Sequence, residues 1–335
     1  MLLVLLSIAT TDAQETKFGE WRIAEAPALL PGQVPAWDDF AIGTVSVVKL
    51  PDKWAMLYEG IALNEDGRTH SFGIAESADG ISWKKRPENP VFEPGDVEWE
   101  VASGPSVARW HDAWWMAYVV DRSLALEEKT PEDFAAMPSE LHLARSGDGI
   151  VWEHIAKLKN LPINTTGEAD LRPCIYAEAD KLHMWWLAAG DEGKAALYHA
   201  VSSDGEEWPR PNRQPASEID SRPICCARVS QSGEFYILTY VAHRDQKSPR
   251  FVTKISRNAR SWQAGGPPEI TLGPEAPLAP HWQHPAPAVV FTKEGARLYF
   301  IEQRRVNDRG GFHPNDSLRG SVLRTAACAK IDAQN

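Results

Sequence analysis

The chain has 335 residues, enough for one large domain or two ordinary ones, and is rich in Trp (14), Pro (25) and Gly (23). Its formal net charge of -11 repels phosphate backbones and argues against nucleic acid as a partner. No run after the N-terminus is long and apolar enough to be a transmembrane segment.

Residues 1–9 are almost wholly apolar, and Thr11-Asp12-Ala13 offers a small-residue cleavage site before Gln14. Residues 1–13 are therefore read as a signal peptide without the usual basic segment, the alternative being a buried first strand. The expected product, 14–335, is a single domain, secreted or periplasmic, and monomeric. The four Cys (174, 225, 226 and 328) match no zinc spacing and read as small core residues. Cys225 and Cys226 are adjacent in an expected strand, which would send their side chains to opposite faces.

Further along, one pattern repeats: Ser, any residue, Asp, Gly, two residues, Trp. It stands at Ser77–Trp83, Ser146–Trp152 and Ser202–Trp208, with a worn copy at Ser256–Trp262. Asp-Gly makes the turn, because Gly accepts positive φ and Asp hydrogen-bonds its own backbone. Each copy closes a hairpin whose first strand is a short β-type run (Thr69–Ser77, Leu141–Ser146, Ala196–Ser202, Phe251–Ser256). Upstream lie two further strand-like runs each time, for example Val45–Val48 and Trp54–Tyr58. Four short antiparallel strands per repeat is the signature of a propeller blade.

Glu20-Trp21-Arg22-Ile23 resembles the fourth strand of a blade rather than the first, and the match runs on. Trp21 leads to Pro27–Gly32 and Trp37-Asp38 as Trp83 leads to Pro90–Gly95 and Trp99-Glu100. The last unit, from Pro285 to Ala329, has three strands and no closing Trp. The expected fold is all-β: a five-bladed β-propeller, four antiparallel strands per blade, with the N-terminal strand closing the ring. Closure would remove the free sheet edges that invite aggregation.

In this architecture the loops entering strand 1 and those joining strands 2 and 3 surround one mouth of the central channel. Thr130-Pro131-Glu132-Asp133 predicts a short helix over that mouth. The clearest rim repeat is Glu168-Ala169-Asp170-Leu171-Arg172-Pro173 against Glu218-Ile219-Asp220-Ser221-Arg222-Pro223. Trp37-Asp38-Asp39, His281-Trp282-Gln283-His284, Glu59, His243 and Glu302 with Arg304 belong to the same rim. Paired carboxylates suit glycosidic-bond cleavage, one protonating the leaving oxygen while the other activates water or attacks the sugar. Trp faces suit sugar CH groups, and Arg forks suit anionic substituents. The competing reading is that Asp170–Arg172 and Asp220–Arg222 are structural ion pairs. His281 and His284 are not at a recognised ligand spacing, so no metal or cofactor is assigned, a channel cation such as calcium being the alternative.

Pro31-Gly32, Trp37-Asp38, Ser46-Val47-Val48, Met56-Leu57-Tyr58, Ile74–Trp83 and Asn89-Pro90-Val91 together resemble the five-bladed propeller glycoside hydrolases. These are the arabinanase, levansucrase and invertase superfamily, with families 43 and 32 as members. The resemblance implies a carbohydrate ligand and three strand-1 carboxylates. At those places this chain has Gly43-Thr44, Arg172 and Ser221. Acids stand a few residues earlier, so the expected catalytic set is Asp38 or Asp39 as base, Asp170 as stabiliser and Glu218 or Asp220 as acid. Trp37, Glu168, Arg172, Arg222, His243, Trp282, His284, Glu302 and Arg304 are the expected substrate-binding residues. Three readings stay open: an exported glycoside hydrolase, a non-catalytic carbohydrate-binding propeller, and a sialidase- or phosphorylase-like enzyme that grips an anionic group with its Arg residues.

Overall fold

The computed structural model describes residues 17–64, 67–93, 101–121, 139–163, 171–190, 193–244, 248–272, 287–302 and 321–331. The expected signal peptide and the helix expected around Thr130 lie outside the described residues. No helix among the described residues is long and apolar enough to cross a membrane.

The described chain opens on two short strands, β1 (Lys17–Phe18) and β2 (Arg22–Ile23), whose partner comes from the far end of the sequence. Blade I follows as β3 (Ala41–Lys49), β4 (Trp54–Asn64), β5 (Gly67–Ser77) and β6 (Lys84–Lys85). Blade II is β7 (Val101–Trp110), β8 (Ala113–Asp121), β9 (Glu140–Ser146) and β10 (Glu153–Lys157). Blade III is β11 (Cys174–Glu178), β12 (Lys181–Ala189), β13 (Ala195–Ser202) and β14 (Asn212–Pro215), followed by one helical turn, α1 (Ala216–Ile219). Blade IV is β15 (Ile224–Ser232), β16 (Phe235–Arg244) and β17 (Ser248–Ser256), with β18 (Gln263–Ala264) and β19 (Ile270–Thr271) both on β17. Blade V is β20 (Ala288–Phe291), β21 (Gly295–Glu302) and β22 (Val322–Ile331), completed by β1 and β2.

The all-β, five-bladed architecture with ring closure is therefore as expected. Arg22 pairs Ala327 and Ile23 pairs Ala326, so the N-terminal strand supplies the missing outer strand of blade V. The repeat predicted between Pro27–Gly32 and Pro90–Gly95 holds at Leu29 and Phe92, both described. Leu29 bridges Leu323 as Phe92 bridges Phe72, each chain folding back onto the third strand of its blade.

The turns explain the repeated motif. Ser77 Oγ accepts the Gly80 N–H at 2.8 Å, and Asp79 Oδ1 accepts the N–H groups of Ile81 and Ser82 at 2.7 and 2.9 Å. The same bonds recur at Ser146-Asp148 and Ser202-Asp204, and Asn258 takes the Asp role in the worn copy. These residues hold backbone, not ligand. Gly205, at φ +82°, lies where a Cβ would sit 2.3 Å from the Trp115 ring, so this turn docks one blade on the next.

The five innermost strands, β3, β7, β11, β15 and β20, neighbour one another in a closed circle. Side chains stitch part of it. Ser46 Oγ accepts the Val107 N–H, Ser106 Oγ the Ile175 N–H (both 3.0 Å) and Cys174 Sγ the Val229 N–H at 3.4 Å. Each is the same position in successive blades, and each satisfies an N–H that the inner sheet edge would otherwise leave open. All four Cys are buried, as expected of small core residues, and they are unbridged. Cys226, however, sits in a β-bulge at φ +52°, and strict alternation fails there. Cys225 and Cys226 join one apolar cluster with Val241, Phe251 and Leu298 rather than pointing apart.

Candidate functional site at the channel mouth

Bulges shape the mouth. The register of β3 shifts between Ile42 and Val45, that of β7 between Ser103 and Ser106, and that of β15 between Cys225 and Arg228. A bulge re-aims the residues it contains, and bulges concentrate beside active sites. Here the first turns Thr44 toward the mouth, and the second supplies Gly104 at φ +61°.

Around these residues three blades meet. Glu59, on β4 opposite the first bulge, is 4% exposed. Its Oε2 accepts the Thr44 N–H at 3.0 Å, and its Oε1 lies 2.7 Å from His70 Nδ1 on β5. Arg172, just before β11, donates from Nη1 to Thr44 Oγ1. Gly104 of blade II stands beside the Arg172 side chain, where a Cβ would lie 3.7 Å away in ordinary contact, so its positive φ rather than space is what calls for glycine. Gly43 does leave space, for Glu59, since a Cβ there would stand 2.8 Å from its carboxyl.

Burial alone would raise the Glu59 pKa. The His70 hydrogen bond and charge, then the Arg172 charge and the Thr44 N–H, outweigh it and bring the carboxyl below its ordinary value. Glu59 is thus an acceptor-only carboxylate, which places the proton of His70 on Nδ1.

The sequence-predicted residues divide into groups. Asp38 is 2% exposed and does not open on the channel; its Oδ2 accepts from Tyr58 at 3.1 Å and from Lys85 at 2.5 Å. Trp37 packs beside it over Tyr58, in a slot left by Gly60 and Gly73. Asp39 is half-buried, and its carboxylate makes no hydrogen bond to a described residue.

In blade IV, Asp220 repeats the Asp38 arrangement. Its Oδ2 accepts from Tyr240 at 2.6 Å, again from a tyrosine on the second strand of its blade. Arg222 adds a forked pair to Asp220 and a second to Glu269. Burial pushes the Asp220 carboxyl up, but the bonds from Arg222 and Tyr240 win and hold it at about 2. The expected structural ion pair Asp220–Arg222 is present. Glu218, on α1, is exposed and lines a groove of about 670 Å³ with Arg222, Lys254 and Gly266.

Glu302 lies against Arg324 at 3.4 Å, and Arg324 also donates to the Ala24 and Glu25 carbonyls. That pair belongs to the ring closure. His243 is on β16, where only its backbone is described. Glu168, Asp170, Trp282, His284 and Arg304 lie outside the described residues. No group of three or more His, Cys, Asp or Glu among the described residues is arranged to hold a metal ion. The sequence places Glu59 on the rim but does not disclose its pairing with His70. The available signal is a lone acid in the apolar run Trp54–Ile61, opposite a glycine.

No family model matches the chain. Two uncharacterised proteins of Mycobacterium tuberculosis, from strains CDC 1551 / Oshkosh and ATCC 25618 / H37Rv, are each 27% identical over 198 residues. The match covers 56% of this chain and 60% of each relative's length. Among solved structures, the fold matches that of Zg3597, a family 117 glycoside hydrolase of Zobellia galactanivorans (TM-score 0.57, 15% identity, 95% of this chain and 93% of that one). It also matches a glycosyl hydrolase from Bacteroides ovatus (TM-score 0.55, 14% identity, 92% and 94%). A third is the Bombyx mori family 32 β-fructofuranosidase BmSUC1 (TM-score 0.53, 12% identity, 92% and 62%). The chain shares its fold with five-bladed glycoside hydrolases.

Proposed function

We propose that the protein is an exported, glycoside hydrolase-like propeller that takes an oligo- or polysaccharide at the channel mouth, centred on Arg172. The observation that carries this reading is the convergence of Thr44, Glu59, His70 and Arg172 from blades I and III, beside Gly104 of blade II. Arg172 is only half-buried, and its fork suits a carboxylate or sulfate on the sugar. Glu59 is a positioning residue: it holds the Thr44 backbone, accepts from His70 Nδ1 and sets a negative charge behind the guanidinium.

Acid–base roles are assigned from what each carboxylate already binds. A general acid must carry a proton near neutral pH, which Asp220 at about 2 does not. Asp38 is buried, with its Oδ2 taken by Tyr58 and Lys85. Asp39, whose carboxylate makes no hydrogen bond to a described residue, is the proposed base, Glu218, exposed on α1, the proposed acid in place of Asp220, and Asp170 the proposed stabiliser of positive charge on the sugar. Trp37, Arg222 and the other expected binding residues stay proposals for the walls of the same site.

The test is hydrolysis and binding across neutral, uronic-acid-bearing and sulfated oligosaccharides. We expect acidic glycans to be cleaved, Asp39→Asn to bind without turnover, and Arg172→Met to lose the preference for acidic glycans. Unchanged turnover in Asp39→Asn would remove that residue from the reaction. A second reading, binding without catalysis, is favoured by one observation: Thr44 and Arg172 occupy two of the strand-1 acid places that the resemblance implies, and they bond each other. Wild-type binding with no turnover on any glycan would support it.

A further inference from the structure

Blades III and IV meet along a polar seam at the end of β11, away from the mouth. Tyr176 O–H donates to Gln231 Oε1 at 2.6 Å, and Gln231 Nε2 donates to Glu178 Oε1 at 3.1 Å. Tyr236 O–H donates to the other Glu178 oxygen at 2.7 Å. Tyr176 and Glu178 belong to blade III, Gln231 and Tyr236 to blade IV, so one carboxylate joins the two. The chain of contacts continues within blade III. His183 Nε2 lies 3.5 Å from Glu178 Oε2, and His183 Nδ1 lies 3.1 Å from His199 Nε2. Trp185, fully buried in the apolar cluster that spans both blades, has His199 flat on its face, with ring centroids 4.2 Å apart and planes within 2°.

A hydrogen bond between two imidazoles needs one N–H and one lone pair. It survives a first added proton, and a second makes both nitrogens donors and ends it. His183 is 8% exposed and His199 half-buried. Burial is the largest influence on both, and it lowers both pKa values. His183 falls below its ordinary value against the pull of Glu178, with Lys181 adding to the fall. His199 falls to about 4, helped by His183 and Arg260. Lys181, at the start of β12, and Arg260, in the turn after β17, are exposed cations, one from each blade. Glu178 is the acid that acts on the pair among the described residues, with the Tyr176 and Tyr236 phenols beyond it. The unfolded chain takes up protons near the ordinary 6.5, while the folded pair resists to lower pH. The stability that the neutral pair contributes is therefore full above about pH 6.5 and is lost as pH falls toward 4.

We propose that the His183–His199 pair is an acid-sensitive latch on the seam between blades III and IV. Neutral, it keeps the seam closed; protonated, it draws Glu178 toward His183 and loosens that carboxylate's hold on Gln231 and Tyr236. The latch does not depend on what the mouth binds, although the same two blades carry Arg172 and Asp220 there.

The test combines calorimetric melting of the full chain between pH 7 and pH 4 with amide hydrogen exchange over the same interval. The expected wild-type Tm falls with pH, and the fall is shallower in His199→Phe, which keeps a ring on Trp185 and cannot titrate. His111→Asn, which removes an exposed histidine at φ +52° where Asn is tolerated, keeps the wild-type slope. Exchange, corrected for its intrinsic pH dependence, quickens in residues 174–202 and 224–244 on acidification while blade I holds. With 13C-labelled histidine, the imidazole signal missing from His199→Phe titrates well below 6.5 in the wild type. Should His199→Phe fail to fold, exchange in the wild type decides. An equal Tm slope in His199→Phe and wild type would overturn the proposal. So would a His199 midpoint at or above 6.5, or acid-quickened exchange spread evenly over the blades.

Discussion

At the scale of single residues, the mouth is defined by where charge is buried. Glu59 has its charge balanced by His70 and Arg172, and removing a partner from such a set leaves the others uncompensated. Glu59→Gln should therefore cost about 3 kcal/mol or more, read as a lowered denaturation midpoint, although shape and volume barely change. Asp220 allows a pH prediction. Its folded carboxyl stands at about 2 against an ordinary 3.8, so the stability it contributes is fully present above about pH 4 and fades as pH falls toward 2. Melting temperature measured across that interval should fall less steeply in Asp220→Asn than in wild type. Little of this is legible from sequence. A hairpin joins Glu59 to His70, and nothing in the spacing of the two residues announces that their side chains meet across β4 and β5. Arg172 is legible as a rim residue, because the Glu-x-Asp-x-Arg-Pro repeat marks the entrance to strand 1. Its partner across the ring is not, since Thr44 reaches it through a bulge, and a bulge leaves no residue-type signature beyond the neighbouring glycine.

At the scale of elements, the Ser-x-Asp-Gly-x-x-Trp turn is a structural unit that combines local bonding with docking. Ser202 is nearly fully buried and accepts the Gly205 N–H while donating to Asp204. Ser202→Ala should cost about 1 kcal/mol, the value of one such bond. Gly205→Ala should cost more, about 1–3 kcal/mol, because it forces an alanine to positive φ and drives a methyl into Trp115. Urea titrations of the two variants would rank them, and the reverse order would mean that the turn's own bonds outweigh its docking. These turns are the most legible part of the chain. Their chemistry is local, so identical residues at fixed offsets produce identical backbone in every copy. The Cys225-Cys226 pair shows the converse: alternation predicts opposite faces, and the bulge at Cys226 overrides it.

At the scale of the whole molecule, the ring depends on two strands of two residues each, β1 and β2. β2 and the Trp21 side chain, which donates to the Pro268 carbonyl and packs on Phe251, join blade V to blade IV. A chain beginning after Ile23 would leave β22 as an exposed edge, and such edges pair with other chains. It should melt at lower temperature and form larger species in size-exclusion chromatography. The repeat makes this closure readable, since a lone fourth strand at the N-terminus and a three-stranded unit at the C-terminus complete one blade. What the propeller holds at its mouth is a question of charge and shape there, because one fold hosts many chemistries. The most direct measurement is calorimetric binding of a uronic-acid-bearing oligosaccharide and its neutral counterpart to wild type and to Arg172→Met. The account predicts tighter binding of the acidic glycan by wild type and a loss of about tenfold or more in the variant, with the neutral glycan little affected. Equal affinity of wild type and variant for the acidic glycan would contradict it.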